Sequence, residues 1–416
     1  MRATAAFCRL LGLEGVRICD VRFEPDRVVV EVALRRRRLI CPLCAFATGH
    51  RHDVRPVDSA WRHLDLGVWR LEIRARLRRL VCPEHGVRVE AVSFARHGSD
   101  FTRDFEHLVA WLATRTDKTT IKRMLRIHWA TVGRIIERVC ADELDPDRLE
   151  ELFEIGIDDV SWRKGHRYLT LVADHRRGLI VWGAEGASAA VCDEFYEQLG
   201  PKRCSQIEAV SMDMGPGYAK STRTNAPQAV VCIDPFHVAK LAGEALDEVR
   251  REYWNELRSL GDQQAAKRFK DARWALLKRP ENLTDRQAQT LKALKAAGGK
   301  VARAHELKEA LRGIFAPGLS VADVDELLTR FCSRASRSRM PSFLRLGRTI
   351  RRHRDGILAA VRLGVTNARN EALNNKVRLI TRRAYGFHSP HAALALVHLC
   401  CGPITLQPPH ELHLHR

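Results

Sequence analysis

Residues 154–166, EIGIDDVSWRKGH, decide the fold of the central part of the chain. The apolar half of this stretch predicts a buried β-strand that ends near Asp158. Two β-rich runs, a helical run and two further apolar runs follow, at 167–175, 178–186, 187–200, 206–214 and 229–238. This order of strands and helices predicts an α/β domain with one mixed sheet.

Three acidic residues are placed as metal ligands would be. Asp158 ends the first strand, Asp213 ends the fourth within EAVSMDMGPGY (208–218), and Glu371 lies in the helix-like GVTNARNEALNNK (364–376). Two strands and a helix separate the aspartates, so their strands can lie side by side. Hard cations such as Mg²⁺ prefer carboxylate oxygens, and two of them about 3.5–4 Å apart serve phosphoryl transfer. The three acids therefore predict a two-metal centre.

Other acids compete with this assignment. Asp159, Asp174 and Asp234 lie close to the same strand ends, and any single Asp or Glu is more often an ordinary surface acid. Asp159 would point to the opposite face of its strand from Asp158, because side chains alternate along a strand.

The helical block between the fifth strand and Glu371 is too long for a simple connection. From Val238 to about Val361 the pattern is helical, and apolar residues recur with a helical period after Val238. We expect this block to be an all-α insertion that leaves the sheet and returns to it.

Two cysteine-containing pairs lie in a β-rich N-terminal region. They are Cys41 with Cys44, and Cys82 with His85. Three thiolates and an imidazole predict a closed, tetrahedral, structural Zn²⁺ site. His50 and His52 are alternative fourth ligands, and free thiols are the alternative to a metal site. The other nine of the twelve cysteines show no such pairing, and we expect them to be small core residues.

The segment after Asp104 predicts a helix-turn-helix. Helical periods interrupted at about residues 126–129 give this outline. Thr131, Arg134 and Arg138 begin and extend its second helix, where a recognition helix contacts base edges. A solvated basic face and a helical hairpin in the core are the alternatives.

Composition favours a polyanionic partner. The chain has 416 residues, 70 Lys and Arg, 50 Asp and Glu, and a net charge of +20. Clustered cations of this kind fit nucleic acid, whose phosphates release counterions on neutralisation. The length predicts two to four domains. No signal peptide and no membrane-spanning run is visible, so we expect a cytoplasmic protein whose cysteines are thiols or metal ligands.

Two further groups have both a functional and a structural interpretation. Asp234 and His237, at the end of the fifth strand, could bind a metal or orient a substrate phosphate, or the histidine could be buried and cap the strand. Arg163 and Lys164, in a turn near Asp158, could contact a DNA backbone or balance the acids.

Four stretches together resemble a known family. They are GIDDVSWRKGHRY (156–168), SMDMGPGY (211–218), DPFHVAKLAGEALDEVRR (234–251) and TNARNEALNNKVRLITRRAYGFHS (366–389). They resemble bacterial insertion-sequence transposases of the DDE class, in particular the ISL-three family. The pattern T-N-x-x-x-E-x-x-N-x-x-x-R is the most specific, and the resemblance extends from about Cys41 to Phe387.

The resemblance implies a multi-domain α+β and α/β protein with a ribonuclease H-like catalytic domain. Asp158, Asp213 and Glu371 would hold two Mg²⁺ or Mn²⁺, and Cys41, Cys44, Cys82 and His85 would hold one structural Zn²⁺. The expected segments are a β-rich zinc-finger domain at 1–100, a helix-turn-helix at 101–148, the first part of the catalytic core at 149–237, an α-helical insertion at 238–362, the Glu-bearing helix at 363–400 and a tail at 401–416.

The implied function is that of a DNA transposase that binds the terminal inverted repeats of an insertion sequence and performs metal-dependent strand cleavage at the element ends and strand transfer into target DNA. No membrane is involved, and the paired ends imply a homodimer or larger assembly near the nucleoid. The alternatives are a non-catalytic DNA-binding regulator derived from such an element, and a ribonuclease H-like nuclease or resolvase that cuts without joining.

Overall fold

The computed structural model describes residues 3–364, 368–384 and 386–412, without the side chains at 216, 268, 271, 368–371 and 412. The chain forms two compact units. Unit 1 comprises residues 1–145 and 380–416, and unit 2 comprises residues 146–379. None of the described helices combines the length and apolar character that crossing a membrane requires.

Unit 1 begins with a helix and three small sheets. Their elements are α1 (Ala3–Leu11), β1 (Val16–Phe23), β2 (Arg27–Leu34), β3 (Leu39–Ile40), β4 (Ala47–Thr48), β5 (Asp53–Val54), β6 (Ser59–Leu66), β7 (Trp69–Ala75), β8 (Arg78–Cys82) and β9 (Gly86–Val89). The sheet orders are β1-β2-β7-β6, β3-β4 and β5-β8-β9. Val28, Val30, Leu71 and Ile73 fill the core of the largest sheet, as alternating apolar residues predict.

Three helices follow, α2 (Arg103–Ala113), α3 (Lys118–Leu125) and α4 (Trp129–Glu143). The side chain of Asp117 accepts hydrogen bonds from the backbone N–H groups at the start of α3, which satisfies donors that a helix leaves unpaired. Arg126 has a left-handed φ of 55° and ends α3. The predicted break within the helix-turn-helix is therefore confirmed.

A buried ionic network holds these helices together. Glu106 on α2 is fully buried, and it accepts hydrogen bonds from Ser99 (2.7 Å), Arg96 (3.1 Å) and Arg138 (2.7 Å to Nε). Arg96 also pairs with Asp142 at 2.7 Å. Since a buried carboxylate without partners would be costly, this network fixes α4 against α2.

Unit 2 contains the five-stranded mixed sheet that the sequence predicts. Its elements are β10 (Glu154–Arg163), β11 (Arg167–Asp174), β12 (Leu179–Glu185), α5 (Ala189–Leu199), α6 (Pro201–Cys204), β13 (Ala209–Met212), α7 (Pro216–Asn225) and β14 (Val230–Ile233). The strand order is β12-β11-β10-β13-β14. β11 pairs antiparallel with both β12 and β10, whereas β13 and β14 run parallel to β10. The central strand β10 buries Ile155 and Ile157 completely.

The chain then forms helices. They are α8 (Pro235–Ser259), α9 (Gln263–Asp271), α10 (Arg273–Leu277), a short 3-10 turn (Pro280–Asn282), α11 (Asp285–Ala297), α12 (Gly299–Ile314), α13 (Val321–Arg337), α14 (Pro341–Arg352), α15 (Arg354–Leu363) and α16 (Ala368–Arg383). No strand occurs in the described residues between β14 and α16. The apolar stripe of α8, which includes Val238 and Leu246, is buried in the unit's core.

The helical block returns to the sheet at α15, which packs on β14. Gly356 makes this close approach possible. A Cβ added there would lie 2.8 Å from Ile233 Cγ1 and 3.2 Å from the Val231 carbonyl oxygen. The helical block therefore leaves the sheet after β14 and returns to it at α15, as predicted.

The last helices, α17 (Pro390–Cys401) and α18 (Pro409–Leu412), belong to unit 1. α17 packs on α4, and the His388 ring meets the Trp129 ring at 6.1 Å. Arg383 donates hydrogen bonds to the carbonyl oxygens of Ala113 (2.8 Å) and Thr114 (2.9 Å) at the end of α2. The chain thus completes its N-terminal unit with its C-terminal segment.

Candidate functional site

Two neighbouring strands bring Asp158 and Asp213 to one edge of the sheet. β10 and β13 are parallel, and Ile157 pairs with Met212. Asp158 follows Ile157 within β10, and Asp213 follows Met212 directly after the end of β13. The prediction that the first strand ends near Asp158 was wrong: β10 continues to Arg163, because its pairing with β11 extends beyond its pairing with β13. Both side chains are half-buried. The juxtaposition that the strand order predicts is therefore present.

Asp158 is held from both sides. Its Oδ1 accepts the backbone N–H of Asp159 (2.8 Å), and its Oδ2 accepts the side-chain amide of Asn374 on α16 (2.5 Å). Burial raises the pKa of Asp158, and the nearby His237 opposes that rise. An ionised Asp158 therefore gains from an added positive charge at this edge.

His237 lies between two acids in the first turn of α8. Its Nδ1 is 4.0 Å from Asp213 Oδ1 and 3.6 Å from Asp234 Oδ2. This nitrogen is buried and has no hydrogen-bond partner among the described residues. Asp234 caps α8 by accepting the Phe236 N–H at 3.0 Å. Asp234 and His237 thus belong to the same sheet edge as the two aspartates.

The competing acids differ in their surroundings. Burial raises the pKa of Asp159, and the charges of Asp158 and Asp213 raise it further. Asp174 instead accepts the backbone N–H groups of Arg176 (2.7 Å) and Arg177 (3.1 Å), in the turn after β11. Asp174 therefore stabilises the turn after β11, whereas Asp159 lies in the same electrostatic environment as Asp158.

Glu371, the third predicted ligand, lies on α16, and its side chain is outside the described residues. Its place in the metal centre stays a prediction. Asn374 on the same helix is 6% exposed and contacts Asp158 directly.

A basic cavity of about 540 Å³ lies between α7, β14 and the helices α14 and α15. Arg223, Arg352, Arg362 and His353 line it. Burial lowers the pKa of His353, the cations Arg352 and Arg223 lower it further, and Asp213 opposes them. His353 therefore lies within electrostatic reach of Asp213 and of two guanidinium groups of the cavity.

The four predicted zinc ligands converge in unit 1. Their ligand atoms all lie within 4.8 Å of one another: Cys41, Cys44, Cys82 and His85. Sγ of Cys82 is 3.5 Å from both Cys44 Sγ and His85 Nδ1. Tetrahedral bonds of about 2.3 Å to sulfur and about 2.0 Å to nitrogen separate ligand atoms by roughly 3.5–3.8 Å. The cluster fits a structural zinc, and it includes neither of the alternatives His50 and His52.

The remaining cysteines follow the core prediction only in part. All twelve lie within the described residues and are unbridged. Cys140, Cys192, Cys204, Cys232, Cys332 and Cys401 are buried, and Cys400 is half-buried. Cys8 and Cys19 are exposed, so for them the prediction was wrong. They occupy the outward faces of α1 and β1, which the sequence pattern alone did not distinguish.

The predicted DNA contacts occupy different environments. Arg134 is exposed on α4, and it donates to the half-buried Thr131 at 3.2 Å. The Arg138 guanidinium is bound to the buried Glu106 instead. Arg163 and Lys164 are exposed at the end of β10 and in the turn after it. Each of these DNA contacts stays a prediction.

Asn374 was missed as a functional residue by sequence reasoning, although a signal was present. It is the asparagine that follows the glutamate in T-N-x-x-x-E-x-x-N-x-x-x-R. Arg223 and His353 had no such signal, because they lie on α7 and after α14 and meet only in the folded unit.

The Cys/His cluster, the helix-turn-helix and the acidic sheet edge together define a DNA-processing enzyme. Comparison with protein families agrees region by region. Residues 37–85 match the zinc-finger of transposases IS204/IS1001/IS1096/IS1165, residues 90–140 match the helix-turn-helix domain of transposase family ISL3, and residues 155–396 match the ISL3 transposase domain of the DDE class. The chain belongs to the ISL3 family of DDE transposases.

Curated relatives extend this likeness to almost the whole chain. The transposase for insertion sequence element IS1557 of Mycobacterium tuberculosis is 38% identical over 427 aligned residues, which cover 96% of each chain. The transposase for IS1001 of Bordetella parapertussis is 28% identical over 379 residues, 90% of this chain and 91% of the relative. The expectation of an insertion-sequence transposase is confirmed.

Proposed function

We propose that this transposase binds the terminal inverted repeats of its insertion sequence and cuts and joins DNA at the edge formed by Asp158, Asp213 and Glu371. The observation that carries the proposal is the register of β10 and β13. Asp158 on β10 and Asp213 directly after β13 each lie one residue beyond the Ile157–Met212 pair of these adjacent parallel strands.

The chemistry of this edge fits divalent cations. Burial raises the pKa of Asp158, and burial with neighbouring carboxylates raises that of Asp159. Positive charge at the edge would stabilise the ionised forms. Two Mg²⁺ or Mn²⁺ held there would activate the attacking oxygen and stabilise the leaving oxygen of a phosphodiester.

Helix geometry supports Glu371 as the third ligand. Residues three apart in an α-helix share a face, and Asn374 on α16 contacts Asp158. The sheet order, with three antiparallel strands followed by two parallel ones, supports a ribonuclease H-like assignment for this domain.

The chain's own side chains would position the reacting groups. Asn374 fixes the orientation of the Asp158 carboxylate through its amide. His237 lies between Asp213 and Asp234, so we assign it and Asp234 a positioning role. Arg223 and Arg352 in the basic cavity, with Arg163 and Lys164, would neutralise backbone phosphates.

Unit 1 would read the element ends. Thr131 and Arg134 near the start of α4 would face the major groove, whereas Arg138 would act mainly through Glu106. Cys41, Cys44, Cys82 and His85 would hold one structural zinc that shapes the β-rich region. The segment boundaries at 100, 148, 237, 362 and 400, a dimeric or larger assembly on paired ends, and action on cytoplasmic, nucleoid DNA belong to the same proposal.

Cleavage of labelled element ends tests the proposal. We expect Asp158→Asn, Asp213→Asn and Glu371→Gln each to abolish strand cleavage with Mg²⁺ while binding of the end is retained. The reason is that each substitution removes a carboxylate charge without a change in size. Glu197→Gln, at an exposed position on α5, is the matched control and should cleave normally.

The outcomes separate the competing functions. Wild-type cleavage without joining of the freed 3′ end would favour a nuclease or resolvase. Binding of the ends without any cleavage by the wild-type protein would favour a regulator. Full cleavage by any of the three acid variants would refute that residue's place in the centre.

A further inference from the structure

The helical part of unit 2 contains a second cavity that the proposed chemistry does not use. Its volume is about 900 Å³, near the upper end of the roughly 300–1,000 Å³ typical of ligand sites. The side chains that give it its character are Trp254, Trp274, Arg251, Lys270, Arg273 and Arg286. None of its lining residues with described side chains is acidic.

Two indole rings give the cavity flat apolar faces. Trp274, in α10, is 52% exposed, which is unusual for the largest apolar side chain. Trp254, on α8, is half-buried and packs against the unit's core. Guanidinium groups already lie over both rings, Arg273 at 5.0 Å from the Trp274 ring centre and Arg258 at 4.9 Å from the Trp254 ring centre. The rings are therefore held in place beside positive charge.

The charge of the cavity is only partly compensated. Asp247 pairs with Arg250 at 2.7 Å and lies near Arg251 (3.3 Å) and Arg273 (3.8 Å). The single negative charge of Asp247 is thus shared by three guanidinium groups and cannot neutralise all of them. Lys270 and Arg286 are exposed on α9 and α11. An excess of positive charge around aromatic faces attracts an anion that also carries a planar ring.

We propose that this cavity binds unpaired nucleotides of a DNA strand, with a base stacked on Trp274 and its phosphates neutralised by Arg251, Lys270, Arg273 and Arg286. Aromatic platforms combined with a basic groove are the general means of binding single-stranded nucleic acid, because every base has a π-face. A duplex base offers no free face to an indole. The cavity therefore selects an unpaired or extruded base over an intact duplex.

The inference deepens the proposed function, since strand cleavage produces DNA ends whose bases can be unpaired. The site rests on that function for its biological substrate, but binding itself requires no catalysis. The test therefore uses the full-length, zinc-loaded protein without added Mg²⁺ or Mn²⁺ and without a chelator. It measures binding of a fluorescein-labelled oligothymidylate and compares it with binding of a labelled duplex that lacks element ends.

Substitutions at the indole give the decisive readout. We expect Trp274→Ala to weaken oligothymidylate binding by about 5- to 150-fold, the effect of losing one stacked base. Trp274→Phe should retain most of the affinity because it keeps an aromatic face. Both variants should bind the duplex as the wild-type protein does.

Substitutions of the cations give an independent readout. We expect Arg286→Ala to weaken oligothymidylate binding. The slope of log affinity against log salt concentration should become less steep by the amount that one lost phosphate contact contributes, about 0.7–1. Arg303→Ala, at an exposed position on α12 outside the cavity, is the matched control. Thermal unfolding of each variant checks that the fold is intact.

The proposal would be overturned by unchanged oligothymidylate binding in Trp274→Ala. It would equally be overturned if Phe and Ala at position 274 behaved alike, or if Arg303→Ala lost as much affinity as Arg286→Ala. Failure of DNA cleavage by the wild-type protein would bear on the metal centre and would leave this binding result untouched.

Discussion

At the scale of single residues, the contact between Asn374 and Asp158 contains the most functional information. The amide donates to one carboxylate oxygen at 2.5 Å, and a backbone N–H donates to the other at 2.8 Å. Each oxygen keeps a further lone pair for a cation. Partners that orient a ligating carboxylate in this way affect metal affinity without touching the metal.

We therefore expect Asn374→Ala to raise the Mg²⁺ concentration needed for half-maximal cleavage by roughly 10- to 100-fold. The carboxylate would lose the hydrogen bond that fixes its orientation, whereas cleavage at saturating Mg²⁺ would recover in large part. A titration of cleavage rate against Mg²⁺ measures this shift.

The neighbouring Asn375 supplies the control for that titration. Asn375 is exposed and accepts a hydrogen bond from Arg378 at 3.1 Å, so Asn375→Ala should leave the Mg²⁺ dependence unchanged. An unchanged Mg²⁺ dependence in Asn374→Ala would contradict a positioning role for its amide.

Residue-scale prediction from sequence was strongest where a pattern fixed the neighbours. The strand order was sufficient to bring Asp158 and Asp213 together. The sequence pattern did not predict that the Arg138 guanidinium forms an ion pair with Glu106, because that pair depends on the packing of α2 on α4. A basic residue on the second helix of a helix-turn-helix predicts DNA contact only when no buried acid lies within its reach.

At the scale of elements, the four zinc-ligand residues Cys41, Cys44, Cys82 and His85 lie in a part of unit 1 that has only a small hydrophobic core. The β3–β4 and β8–β9 turns enclose a buried cluster of only four residues, Leu39, Cys41, Leu80 and Cys82. So small a core buries too little apolar surface to order these turns. Metal binding to such a site contributes free energy of folding directly.

We expect Cys82→Ser to lose bound zinc and to weaken binding of the element ends. Cys82 is 1% exposed and lies 3.5 Å from two other ligand atoms, so its thiolate is central to the cluster. Zinc content by atomic emission and end binding by gel shift are the two measurements.

Cys19→Ser is the matched control, because Cys19 is exposed on β1. Zinc in a one-to-one ratio should persist in that variant. Stoichiometric zinc retained in Cys82→Ser would instead show that the four residues do not form the site.

At the scale of the whole molecule, the first unit is built from two segments that are far apart in sequence, residues 1–145 and 380–416. The periodic spacing of apolar residues predicted most strands and helices, because such elements usually bury one face. It did not predict that α17 belongs with α4, since this contact joins residues far apart in sequence. The buried apolar residues of α17 all lack aromatic rings: Ala392, Ala393, Ala395, Leu396, Val397, Leu399 and Cys401.

This packing predicts that a destabilising substitution in α17 also affects α4, the second helix of the helix-turn-helix. We expect Leu396→Asp to destabilise unit 1 by at least about 3 kcal/mol, because it places an unpaired charge at a position that is 5% exposed. Hydrogen exchange of α4 amides should accelerate and end binding should weaken, while exchange in β10 and β13 stays as in the wild-type protein. His391→Asp, at an exposed position on the same helix, should change neither. Equal exchange of α4 in Leu396→Asp and the wild-type protein would show that α17 does not stabilise the helix-turn-helix.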